Sequence, residues 1–191
     1  MSTPKTLTSI LNANPELNNQ DTGTDKNTVH SYIENFYENE FSKYQNKKIN
    51  LLEIGIYHGG SLDLWSRYFN NAEIYGFDIT NLNILEQYKN LNNVKQVFEN
   101  AYDHKVANSL PNFDIIIDDG PHTIETQVKC LEIYLPKLND GGVLIIEDIQ
   151  HYDYLSTLDQ FVPEIYKKNI QHVDLRSRIN RFDDILFVIR K

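Results

Sequence analysis

Twice in this chain a short β-branched apolar run breaks off into a pair of acids: residues 113–122 read FDIIIDDGPH and residues 143–149 read VLIIEDI. Ile115, Ile116 and Ile117 are apolar on both faces and too few for a helix, as are Val143 to Ile146. Such runs predict strands covered on both sides, as in a parallel sheet flanked by helices. Asp118 and Asp119, and again Glu147 and Asp148, then stand at the carboxyl ends of two strands. In open α/β sheets that edge is where ligands bind.

The rest of the chain fits this frame. Asn50 to Ser61 (NLLEIGIYHGGS) predicts a strand and a glycine turn, followed by a helix carrying Leu62, Leu64, Trp65, Tyr68 and Phe69. Glycine lets a backbone approach a ligand closely, and free N–H groups at a helix start favour polar or anionic groups. Ala72 to Phe77 predicts a second strand ending in Asp78, 25 positions after Glu53. An acid there suits ribose hydroxyls; the alternative is an exposed Asp after a tight turn. A helix is expected over Leu82 to Lys89 and a third strand over Val94 to Phe98. That strand delivers Asn100, Tyr102 and Asp103 to the same edge, as an adenine contact or as an ordinary loop with Asp103 capping a helix.

Helices are predicted over Thr123 to Leu135 and over Asp153 to Lys168, with Pro163 as a start or kink. His172 to Arg176 and Asp184 to Arg190 read as a hairpin, hence an antiparallel addition. Upstream, residues 12–28 read as a polar loop. Ile33, Phe36, Tyr37 and Phe41 mark an amphipathic helix over Val29 to Tyr44. The alternation predicts a doubly wound, mostly parallel α/β sheet in a single domain, 1–191, long enough to bury about 70% of its unfolded surface.

Charge narrows the partners. A net charge of -9 argues against a nucleic-acid groove or an anionic membrane surface, both of which need clustered Lys and Arg. A small-molecule substrate fits better. The lone Cys130 excludes an internal disulfide framework and a cysteine metal cage, in keeping with a reducing compartment. The opening residues lack a continuous apolar signal core, and no stretch approaches the roughly 20 apolar residues of a membrane span, so the cytoplasm is expected.

If the strands ending at Asp119 and Asp148 are neighbours, they lie about 4.8 Å apart. Asp119, Glu147 and Asp148 would then crowd one point and must keep a proton or be offset by a cation. Oxygen ligands without cysteine suit Mg²⁺ or another hard divalent ion. The alternative is that one acid of each pair caps a helix. Asp118 is expected to turn toward the loop or a cofactor, since adjacent residues diverge. His122, three positions past Asp119, is placed to act as a general base, or else to cap the helix it precedes.

At these residues the chain resembles class I S-adenosylmethionine-dependent methyltransferases, and more narrowly the metal-dependent O-methyltransferases acting on sugars of macrolides and bacterial glycans. The stretch GTDKNTVHSYIENFYENEF (Gly23 to Phe41) is similar to that group's N-terminal segment. LLEIGIYHGGS is similar to its cofactor loop, IYGFDI to its ribose acid, IIIDDGPH and IIEDI to its metal and base motifs, and RFDDILFVIRK to its terminal strands. The resemblance implies a Rossmann-like fold in which residues 1–45 cover the cofactor site. Glu53, Gly55, Gly59 and Ser61 would line the methionine part of the cofactor, Tyr57 would form a wall, and Asp78 would hold the ribose. Asp119, Glu147 and Asp148 would hold Mg²⁺, and His122 would be the base.

Two stretches depart from the group's form. Pro121 stands where Ser is usual, and Ile56, Tyr57 and His58 are bulkier than the small residues common in the loop. The implied function is methyl transfer from S-adenosylmethionine to a hydroxyl, that of a sugar or glycosylated small molecule, with a homo-oligomer allowed. A nicotinamide-dependent oxidoreductase shares the ribose acid but would use G-x-G-x-x-G, which is absent here. The third reading is a cofactor-binding module without catalysis.

Overall fold

The computed structural model describes residues 5–191. Its centre is a seven-stranded sheet of order β3-β2-β1-β4-β5-β7-β6. Strands β1 (Ile49–Ile54), β2 (Ala72–Asp78), β3 (Val94–Phe98), β4 (Phe113–Asp118) and β5 (Leu138–Ile146) pair parallel. β7 (Ile185–Arg190) pairs antiparallel to β5 and to β6 (Ile170–Asp174). The architecture is the mostly parallel α/β sheet with antiparallel C-terminal strands that the sequence predicts. Strand order reverses between β1 and β4, so the crevice of a doubly wound fold opens at the carboxyl ends of those two strands.

The apolar runs form strands for the reason expected: Leu51, Leu52, Ile115 to Ile117 and Val143 to Ile146 are all buried, alternating between two cores. Ile115 and Ile117 pack with Leu62, Leu64 and Trp65 of α3 (Gly60–Tyr68). On the other face Ile116 packs with Cys130 and Leu131 of α5 (Ile124–Tyr134), and with α6 (Asp153–Phe161) through Leu155 and Leu158. α5 starts where Thr123 accepts from Thr126 N, a side-chain cap.

Four local expectations change. An N-terminal helix, α1 (Leu7–Ala13), lies outside the predicted elements; Thr6 and Ser9 form a capping box and Leu7, Ile10 and Leu11 reach the α3 face. The helix predicted over Val29 to Tyr44 is shorter, a π-helical turn at Ile33–Tyr37 running into α2 (Glu38–Phe41). The helix predicted over Leu82 to Lys89 is only a 3₁₀ turn, Glu86–Tyr88. Tertiary contacts win there: Leu85 N donates to His58 O, and Tyr88 OH donates to Thr22 O at 2.8 Å, tying the segment to two loops. Lastly, the tight C-terminal hairpin is a longer connection holding α8 (Arg176–Ile179).

Pro163 is the N-cap that separates α6 from α7 (Glu164–Lys167), so the predicted helix there is two. Asp103 caps α4 (His104–Asn108) through Lys105 N. Among the described residues no helix is long and apolar enough to cross a membrane.

Candidate active site

A cleft of about 640 Å³ opens at the carboxyl ends of β1, β2 and β4, within the usual range for small-molecule sites. One wall is the turn after β1. Gly55 has φ +83, and a Cβ there would lie 1.9 Å from Asp119 O, so only glycine lets the ends of β1 and β4 meet this closely. Asp78, ending β2, accepts from Ile56 N at 3.3 Å and Tyr57 N at 3.1 Å, which fixes the turn against the next strand. Asn100 holds its loop by accepting from Tyr102 N, while the Tyr102 hydroxyl donates to Asp118 at 2.6 Å.

Gly55, Tyr57, Ser61, Asp78, Asn100, Tyr102, Asp119, His122 and Asp148 all line the cleft. Four other expected site residues lie outside its lining. Glu53 is fully buried beneath the turn, accepting from Ser61 Oγ at 2.8 Å and Trp65 Nε1 at 3.1 Å. Gly59 sits at the α3 N-cap with φ 89, pressed against Tyr88. Asp118 points into the core toward Tyr102, and Glu147 is buried.

β4 and β5 are neighbours, as the convergence of acids required, and Glu147 N donates to Asp118 O across them. The group that converges on the cleft is Asp119, His122 and Asp148, with one ligand atom from each within 4.8 Å of the others. His122 Nε2 lies 3.9 Å from Asp119 Oδ1 and 3.8 Å from Asp148 Oδ2. Glu147 is turned the other way, onto Tyr37 OH and, at 2.5 Å, onto Lys26 Nζ. Backbone strain gathers here: among the described residues the non-glycines with positive φ are Tyr57, His122, Asp148 and Asn180, and the first three line the cleft. Each such conformation costs of order 1–3 kcal/mol and persists only where the surroundings impose it.

The other wall comes from the N-terminal segment. Gly23, Thr24, Asp25 and Lys26 line the cleft, and Gly60 has no room for a Cβ because the Gly23 backbone lies against it. Lys26 is 1% exposed. Its ammonium contacts Asp119 Oδ2 at 2.7 Å, Glu147 Oε2 at 2.5 Å and Glu53 Oε1 at 3.5 Å. Burial lowers its pKa, but the surrounding carboxylates outweigh burial and raise it well above the ordinary lysine value, so it stays charged.

Tyr32 OH donates to Asp148 Oδ1 at 2.6 Å, and His30 Nδ1 lies 3.4 Å from the same oxygen. Burial, then the charge of Asp119, pushes Asp148 up to about 6, and burial pushes Glu53 up to about 7. No local pattern in the sequence marks Lys26, His30, Tyr32 or Tyr37 as site residues. Lys26 falls in the polar loop read over residues 12–28, and Tyr37 marks one face of the helix expected over Val29 to Tyr44. The clue was the demand for a cation among the acids, which the chain meets with its own side chain.

A methyltransferase-domain family model matches residues 52–149, more than half of the chain and all of the turn, ribose-acid and acidic-edge elements. This chain belongs to the class I S-adenosylmethionine-dependent methyltransferases. Within that family it is 31% identical over 135 residues to the 8-demethyl-8-alpha-L-rhamnosyl tetracenomycin-C 2'-O-methyltransferase of Streptomyces olivaceus, across 67% of this chain and 35% of that protein. Demethylmacrocin O-methyltransferase of Streptomyces fradiae is 32% identical over 120 residues, 59% of this chain and 30% of that one. The chain thus spans about a third of the length of these curated relatives. The MycE methyltransferase of the mycinamycin biosynthetic pathway, solved with Mg, S-adenosylhomocysteine (SAH) and mycinamycin VI, shares the fold. Its TM-score is 0.70 at 22% identity, over 92% of this chain and 52% of that structure.

Proposed function

We propose that this methyltransferase transfers a methyl group from S-adenosylmethionine to a hydroxyl of a sugar or glycosylated small molecule, assisted by a divalent cation. The observation that carries the reading is the meeting of Asp119, His122 and Asp148 in the cleft that Asp78 and the glycine turn enter from the other side. Sugar O-methyltransferases among the relatives support the acceptor class. The Mg in the MycE complex supports the cation.

The residues fit both ligands. Gly55, Tyr57, Ser61, Asp78, Asn100 and Tyr102 offer a wall of backbone, aromatic, hydroxyl and acidic groups of the kinds that suit a nucleoside with an amino-acid tail, in a cleft of about 640 Å³. Asp119 and Asp148 each present a hard oxygen suited to Mg²⁺. When bound, such an ion supplies positive charge that makes an acceptor hydroxyl a stronger acid. His122 Nε2, open to the cleft, takes the hydroxyl proton. The oxygen then attacks the methyl carbon, the S–C bond breaks with its electron pair going to sulfur, and S-adenosylhomocysteine and a methyl ether leave. Holding methyl and oxygen in line contributes up to about 7–11 kcal/mol in well-oriented cases.

Isothermal titration with S-adenosylmethionine and NAD, followed by labelled methyl transfer to a panel of nucleotide sugars and free glycosides with Mg²⁺ or a chelator, tests this. Binding of S-adenosylmethionine with chelator-sensitive transfer is expected. Binding of NAD alone overturns the reading. Transfer that survives both the chelator and Asp119→Asn overturns the cation's part in it.

A further inference from the structure

Asp119 and Asp148 each have one oxygen held by the N-terminal segment and the other turned toward His122. Lys26 Nζ takes Asp119 Oδ2 at 2.7 Å and leaves Oδ1 toward His122. Tyr32 OH takes Asp148 Oδ1 at 2.6 Å and leaves Oδ2 toward the same imidazole. We propose that Lys26 and Tyr32 are positioning residues of the cation centre, fixing the rear oxygens of Asp119 and Asp148 so that Oδ1 and Oδ2 face one point. This inference rests on the divalent-cation reading above.

The geometry is specific. Tyr32 is fully buried, stacked on His30 at 4.8 Å between ring centroids, and its hydroxyl also accepts from Asp148 N at 3.3 Å. One hydroxyl therefore fixes both the side chain of Asp148 and the strained backbone that carries it, at φ 53. A carboxylate on a freely rotating bond presents either oxygen, whereas one held from behind presents a single lone-pair set, and outer partners of this kind govern metal affinity by about 10–100-fold. Tyr32 itself is not among the residues lining the cleft; its hydroxyl reaches the cation centre through Asp148, at 2.6 Å, and has the Asp183 carbonyl as a longer second acceptor at 3.2 Å.

Removing Lys26 strips the ammonium from three carboxylates and tests folding rather than positioning, so Tyr32 carries the experiment. Metal-free protein is titrated with Mn²⁺, read by electron paramagnetic resonance without cofactor or acceptor, and S-adenosylmethionine affinity is measured separately. Tyr32→Phe is expected to weaken Mn²⁺ by about 10–100-fold, with S-adenosylmethionine affinity held within about twofold. Tyr88→Phe, which cuts a different tie to the N-terminal segment at Thr22 and touches no carboxylate, is expected to leave Mn²⁺ affinity unchanged. Wild-type binding that Asp148→Asn abolishes but Tyr32→Phe leaves intact overturns the positioning role alone. Equal weakening by Tyr32→Phe and Tyr88→Phe also overturns it, since general loosening of the segment then suffices. Absence of Mn²⁺ binding by the wild type removes the cation reading and this inference together.

Discussion

The two ends of the parallel strands handle charge in opposite ways. At the amino end, Glu40 of α2 accepts from Arg190 at the end of β7 and from Lys43 at 2.6 Å. Burial raises its pKa, but those two partners outweigh burial and hold the carboxyl below its ordinary value. At the carboxyl end, Glu53, Asp119 and Glu147 share one ammonium, and Asp118 has an oxygen without a partner. There burial dominates and lifts Glu53, Asp118 and Asp148. One end is neutralised pair by pair and contributes stability; the other gathers several buried carboxylates around one ammonium, next to the strained backbone of His122 and Asp148.

The sharpest way to break this contrast is to disarm the carboxyl end and watch the fold survive. His122→Ala is expected to lower methyl transfer by about 10²–10⁴-fold while thermal stability changes little, since Ala retains a Cβ and with it the same left-handed backbone at φ 58. A matching collapse of stability, measured by calorimetry, would make His122 structural. Next in size is Gly55→Ala. The left-handed backbone alone costs about 1–3 kcal/mol, and the clash with Asp119 O adds to it, so cofactor affinity and melting temperature should fall together.

At the amino end, Glu40→Gln is expected to cost roughly 1 kcal/mol, because Arg190 and Lys43 are a third or more exposed and solvent screens them. The folded pKa of Glu40 is depressed, so its contribution is complete above the unfolded value of 4.5 and fades as pH falls through the folded one. The gap in melting temperature between wild type and variant should therefore close on acidification below 4.5.

The smallest effect has the opposite sign. Asp118 is raised from 3.8 to about 6, first by burial, so its cost is absent below 3.8, grows between the two values and is full above 6. Asp118→Asn should thus stabilise the metal-free protein above pH 6, by on the order of 1 kcal/mol, with no gain at the acid end. A gain that is equal at every pH would mean that burial of charge is not the cause.

The framework of the fold was legible because its signals are local. Ile115 to Ile117 and Val143 to Ile146 cannot be solvated on either face, and the turn around Gly55 and the acid Asp78 mark the crevice without reference to anything distant. What escaped depended on partners far along the chain. Lys26 is buried only because Asp119, 93 positions away, and Glu147, 121 positions away, come to meet it. Tyr37 has the spacing of a core-facing helical residue with Ile33 and Phe41, Tyr32 stands outside that pattern, and nothing local distinguishes a tyrosine whose hydroxyl reaches a carboxylate. Glu147 was read as facing the cleft because it follows β5, yet adjacent residues at a strand end diverge, and Asp148 takes that direction. The 3₁₀ turn at Glu86–Tyr88 was missed for a similar reason, since its conformation is set by Thr22 and His58 rather than by its own sequence.

Trp65 is the only tryptophan in the chain. It is fully buried, edge-on to Tyr37 at 5.4 Å and to Phe41 at 5.3 Å, with its indole N–H on Glu53, the acid that also faces Lys26. The protein therefore carries a single indole, selectively excitable beside its twelve tyrosines, at the seam between its N-terminal segment and its sheet. Any loosening of that seam changes the polarity and hydrogen bonding around one indole, so its emission wavelength and lifetime report on the packing of the N-terminal segment against the sheet without a label.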